Sequence, residues 1–110
     1  MNNWLNVCTL EEVPRLGARV VQHGDLNIAL FRTGDDEVFA VEDRCPHKGG
    51  PLSQGIVHGR KVTCPLHGWN IELVSGCAVA PDVGCAREFA VRIDAGRVWL
   101  DLSTLACAAA

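Results

Sequence analysis

Two short runs decide how this 110-residue chain is read: Cys45-Pro46-His47-Lys48-Gly49-Gly50 and, further on, Cys64-Pro65-Leu66-His67-Gly68. Sixteen residues separate His47 from Cys64, so the pattern is CxH, a spacer, then CxxH, and each half pairs one thiolate with one imidazole. Pro46 and Pro65 fix φ directly after each cysteine and remove a backbone donor there, which suits tight loops better than helices. Gly49, Gly50 and Gly68 follow the histidines closely. Glycines there let the backbone turn sharply, approach a bound group and point amides at sulfur. Cys45, His47, Cys64 and His67 are therefore the candidate metal ligands.

The mixing of ligand types narrows the chemistry. A mononuclear Cys2His2 zinc site usually takes a CxxC pair from one knuckle and two histidines from a helix, so like ligands travel together. In a Rieske centre, two thiolates hold one iron of a 2Fe-2S cluster and two imidazoles hold the other. The motif Cys45-Pro-His-Lys-Gly-Gly with Cys64-Pro-Leu-His-Gly-Trp resembles that of the Rieske 2Fe-2S domain. The resemblance implies a Rieske-type 2Fe-2S cluster bound by Cys45, His47, Cys64 and His67. A structural zinc ribbon with unusual spacing is the competing reading of the same residues.

Length and composition bound the rest. A chain this short is expected to form one domain over 1–110, with the cluster-binding part at about 44–70 and a modest core that a bound cluster helps to stabilise. Hydrophobic residues make up 48% of the chain, yet no apolar run nears the roughly 20 residues of a membrane span. Met1-Asn-Asn-Trp-Leu-Asn-Val lacks the features of an export signal, so a cytoplasmic location is expected. In that compartment Cys8, Cys77, Cys85 and Cys107 are expected to be reduced thiols, although Cys77 and Cys85 could pair across the Pro81 loop. A net charge of -3 argues against nucleic-acid binding by phosphate neutralisation.

Apolar and β-branched runs between turn signals predict short strands at Trp4–Cys8, Ala18–Gln22, Leu26–Arg32, Glu37–Asp43, Ile56–His58, Lys61–Thr63, Trp69–Val74, Glu88–Ile93 and Arg97–Leu102. Thr9-Leu-Glu-Glu-Val predicts one helical turn ended by Pro14. Ala78–Gly84 reads as a loop, and Ser103–Ala110 as a tail with no assigned function. The fold class is all-β: an antiparallel sandwich or barrel base, with two ligand loops forming a small tip as the Rieske resemblance also implies. His23 and His58 read as surface histidines and Lys48 as a solvated loop lysine.

No nucleophile elbow, phosphate loop or dinucleotide fingerprint is present, so catalytic residues are not expected here and substrate chemistry falls to another chain. Rieske domains of cytochrome complexes carry an extra cysteine in each loop. Gly50 and Leu66 stand at those positions, and Trp69 replaces a hydroxyl residue, so the chain resembles the ferredoxin-type branch. Within it, Val38 to Gly55, Cys64 to Trp69 and Pro81-Asp-Val-Gly-Cys are similar to the small subunit of NAD(P)H-dependent nitrite reductase. That implies a large subunit carrying flavin, an iron-sulfur cluster and siroheme, which reduces nitrite to ammonia. The alternative is a Rieske ferredoxin passing electrons from a reductase to an aromatic-ring-hydroxylating dioxygenase. A third is a regulatory or structural subunit whose cluster is incidental.

Overall fold

The computed structural model describes residues 4–45, 50–65, 68–80 and 82–101. Among these, the strands are β1 (Trp4–Thr9), β2 (Gly17–His23), β3 (Leu26–Arg32), β4 (Val38–Glu42), β5 (Ile56–His58), β6 (Lys61–Thr63), β7 (Asn70–Glu72), β8 (Glu88–Asp94) and β9 (Arg97–Asp101). They form a six-stranded sheet in the order β1-β9-β8-β4-β3-β2 and a three-stranded sheet β5-β6-β7, antiparallel throughout. The curled antiparallel sheets bear out the all-β expectation. Among the described residues, two single 3-10 turns, Leu10–Glu12 and Leu52–Gln54, interrupt them, and no helix is long and apolar enough to cross a membrane.

Strand β3 explains the layering. Its residues alternate between two apolar clusters: Ala29 and Phe31 face one, Ile28 and Leu30 the other. Strand β4 divides likewise, with Val41 in the first cluster and Val38 and Ala40 in the second. Successive side chains of a strand point to opposite faces, so the middle of the large sheet is covered on both sides. A strand buried on both faces reads as a nearly unbroken apolar run, as Leu26–Arg32 does.

The first cluster joins the two sheets. Val57, Val62 and Ile71 lie side by side across β5, β6 and β7 and are all buried in it, each stabilising the fold by about 1.5–3 kcal/mol. Cys45 follows β4 of the large sheet and Cys64 follows β6 of the small one, and both lie in this cluster. On the far side of the large sheet, Arg32 is mostly buried and donates to the carbonyls of Leu10 and Val13 and to Asp36. Its guanidinium holds the Asp36 carboxyl below the usual carboxylate range.

Three expectations need correction or limits. The expected strand Trp69–Val74 is only Asn70–Glu72, because Trp69 closes the second ligand loop and the Gly76 amide bonds back to the Glu72 carbonyl, turning the chain. Cys77 and Cys85 are not reduced thiols but a disulfide. The turn into Gly76 (φ +78) reverses the chain, and bonds from Ala78 to the Gly84 carbonyl and from Ala86 to the Gly76 carbonyl set residues 77 and 85 opposite each other, with Cα atoms 3.9 Å apart. Such non-hydrogen-bonded antiparallel pairs bring side chains closest. Cys8 is a thiol as expected. Leu102, the 103–110 tail and Cys107 lie outside the described residues.

Gly55, which leads into β5, lies tightly against the neighbouring strand β6. A β-carbon there would overlap the Thr63 carbonyl oxygen and lie 2.9 Å from Val62 Cγ2, and neither can retreat without moving β6. Gly55→Ala is therefore expected to destabilise the protein by about 2–4 kcal/mol. Denaturant unfolding measures it, and a change within about 0.5 kcal/mol would refute this packing.

Candidate metal centre

The two ligand loops are closed in the same way. The Cys45 amide donates to the Gly50 carbonyl at 2.7 Å, and the Cys64 amide donates to the Trp69 carbonyl at 2.7 Å. In both, the acceptor lies five residues after the cysteine. Each cysteine is thus the first residue of a short irregular loop whose ends are tied by its own N–H, and its side chain enters the core cluster. Trp69 is half-buried against that cluster, and Gly50 is buried. Gly68 adds a second bond, to the Cys64 carbonyl at 3.1 Å.

Side chains fasten the residues just outside each loop. Asp43 accepts from both the Ser53 amide and the Ser53 hydroxyl at 2.7 Å, bracketing the loop from Cys45 to Gly50. Hydrogen bonds to a carboxylate are about twice as strong as neutral ones. Around the second loop, Thr63 Oγ1 donates to Asn70 Oδ1 at 2.6 Å, which leaves the hydroxyl to accept from His58 Nε2 at 2.7 Å. His58 is exposed, as expected, but belongs to this chain of contacts. His23 is exposed at the end of β2.

The bracketing residues were not anticipated from the sequence. Their only signal is a short polar residue just before each cysteine, Asp43 two positions ahead of Cys45 and Thr63 one ahead of Cys64. Their partners depend on how the loops close.

Burial sorts the cysteines. Cys8 is buried in the second cluster, away from the loops, and burial pushes its thiol pKa up, leaving a protonated, unreactive group. Cys45 and Cys64, at 1% and 2% exposure, share the first cluster and stand outside any disulfide. His47, His67 and Lys48 lie outside the described residues. Two soft thiol donors, converging from opposite sheets at the mouths of glycine-containing loops, fit the sulfur side of a mixed cysteine–histidine iron-sulfur site.

Comparison with known proteins agrees with this geometry. The Rieske 2Fe-2S domain family matches residues 3–90, which implies a Rieske-type 2Fe-2S cluster and an electron-transfer role. The 3-phenylpropionate/cinnamic acid dioxygenase ferredoxin subunit of Photorhabdus laumondii is 38% identical over 101 residues, covering 90% of this chain and 94% of its own. The 4beta-methylsterol monooxygenase of Methylococcus capsulatus is 38% identical over 97 residues, or 79% of this chain, which spans only 26% of that relative's length. Among solved structures, one described as an NADH-dependent nitrite reductase small subunit from Mycobacterium tuberculosis superposes with a TM-score of 0.81 at 25% identity, covering 92% of this chain and 96% of that one.

Breaking the Asp43–Ser53 bracket tests the site's construction. Asp43→Ala is expected to cost about 1.5–3 kcal/mol and to lower the iron retained after gel filtration, whereas Ser53→Ala, which keeps the amide bond, costs about 1 kcal/mol. Equal effects of the two variants, or an unchanged iron content in Asp43→Ala, would show that the bracket does not hold the loop.

Proposed function

The chain belongs to the Rieske 2Fe-2S domain family, and we propose that it is the electron-transfer small subunit of an assimilatory NAD(P)H-dependent nitrite reductase. A 2Fe-2S cluster supplies one-electron uptake and release. The chain's own residues position that centre: Cys45 and Cys64 provide the thiolates, and we assign His47 and His67 as the imidazole ligands. All four together saturate the cluster with protein ligands, so substrate is reduced on a separate large subunit carrying flavin and siroheme. In this reading residues 1–110 are one domain, with about 44–70 as its cluster-binding part, working in the cytoplasm.

One observation carries the electron-carrier reading: two buried cysteines enter a single core from opposite sheets, at the head of loops closed by the same hydrogen bond. The finer assignment is supported by likeness to nitrite reductase small subunits along nearly their whole length, with TM-scores of 0.80 and 0.81. It is supported also by Pro51-Leu-Ser after the first loop, His67-Gly-Trp in the second, and the Pro81–Cys85 segment. The second reading, a ferredoxin of a ring-hydroxylating dioxygenase, is favoured by the 38% identity to such a subunit over 94% of its length.

Reconstitution separates the two. Alone, the protein is expected to pass electrons without reducing nitrite, and mixing it with a siroheme large subunit should yield NAD(P)H-dependent ammonia formation. Efficient electron delivery to a dioxygenase, with none to the siroheme subunit, would decide for the ferredoxin. His47→Ala and His67→Ala should each lose the cluster's visible absorption; a fully loaded, spectrally unchanged variant would remove that residue from the ligand set.

A further inference from the structure

The Cys77–Cys85 disulfide lies close in the fold to the second ligand loop. Strand β7 begins at Asn70, directly after Trp69 closes that loop, and the disulfide-bearing segment is bonded along it: the Val79 amide to the Asn70 carbonyl at 2.8 Å and the Glu72 amide to the Cys77 carbonyl at 2.9 Å. Ile71 of β7 pairs with Ala78. On either side of the disulfide, Ala86 is buried in the cluster that holds Cys45 and Cys64, and Ala78 packs against it.

The disulfide is also accessible and local. Cys85 is exposed and Cys77 half-buried, so an external thiolate can reach a sulfur without unfolding the protein. The two are eight residues apart in sequence, which closes only a small loop. A short closure restricts the unfolded chain little, and an exposed disulfide of this kind belongs to the labile class more than to the structural one.

We infer that Cys77–Cys85 is a second redox site of this protein, a reversible two-electron dithiol/disulfide couple whose state sets how tightly the 76–86 hairpin holds β7 and the second ligand loop. The reductant is a dithiol. One of its thiolates attacks the exposed Cys85 sulfur, forming a mixed disulfide and releasing the Cys77 thiolate, which takes up a proton. The second thiol of the reductant then attacks the mixed disulfide, releasing Cys85 as a thiol. The protein gains two electrons and two protons, and the dithiol leaves as its own disulfide. With the cross-link open, backbone bonds and the packing of Ala78 and Ala86 are left to hold this segment against β7. This inference does not depend on which redox partner the carrier serves.

The test uses the cluster-loaded protein, with dithiothreitol as the dithiol. Alkylation and peptide mass analysis of the air-oxidised protein should find Cys77 and Cys85 protected, both should become alkylated after dithiothreitol treatment of the folded protein, and oxidised glutathione should restore protection. Amide hydrogen exchange at Ala78, Val79 and Ala86 should rise about tenfold on reduction, with the β2–β3 amides unchanged. The Cys77→Ser/Cys85→Ser double variant, never exposed to dithiol and with its cluster absorbance intact, should show the raised exchange permanently. Alkylation of both cysteines in the oxidised protein, a disulfide that resists dithiothreitol until the protein unfolds, or wild-type exchange rates in the double variant would each overturn the inference.

Discussion

Two hydrogen bonds, Cys45 N–H to Gly50 and Cys64 N–H to Trp69, are the constraint on which the rest depends. Both cysteines stand outside the strands, each at the head of a loop that leaves the regular hydrogen-bond ladder. Irregular backbone has unsatisfied polar groups, which are costly next to an apolar core. The chain solves this identically in both loops. Each cysteine's own amide ties the loop shut, and polar side chains fasten the residues on either side, Asp43 with Ser53 and Thr63 with Asn70.

The sheets follow from that requirement. Two loops must point at one place, so the strands feeding them must be held in fixed relation. Strands β4 and β6 belong to different sheets, and the apolar cluster built from Phe31, Val41, Val57, Val62 and Ile71, which includes both ligand cysteines, ties them together. Packing at native density makes that cluster stiff, so a change at Gly55 or Val62 is felt at Cys64. The second cluster, around Ile28, Leu30, Phe89 and Leu100, secures the opposite face of β3 and β4.

Much of this was legible in the sequence. Runs of Val, Ile, Leu and Phe between glycine and aspartate turns gave the strands, because burial of alternate or consecutive side chains leaves a direct mark on composition. Cys45 and Cys64 stood out because a thiol beside an imidazole has few structural uses. What failed to show depended on register and closure. The Asp43–Ser53 bond spans ten residues and exists only because the first ligand loop brings its ends together. The Cys77–Cys85 pairing follows from a tight turn at Gly76 and a two-bond ladder, and the expectation of a reducing compartment pointed the other way. Strand β7 was read too long because Trp69 looks like a strand residue, while its carbonyl is committed to the loop.

The central claim is that Cys45 and Cys64 supply the thiolate half of a single cluster within one core. Quantifying iron and acid-labile sulfide in anaerobically purified protein tests it most directly. The account predicts equal molar amounts of iron and sulfide, in the ratio of one 2Fe-2S cluster per chain. A single bound zinc with no sulfide would contradict it.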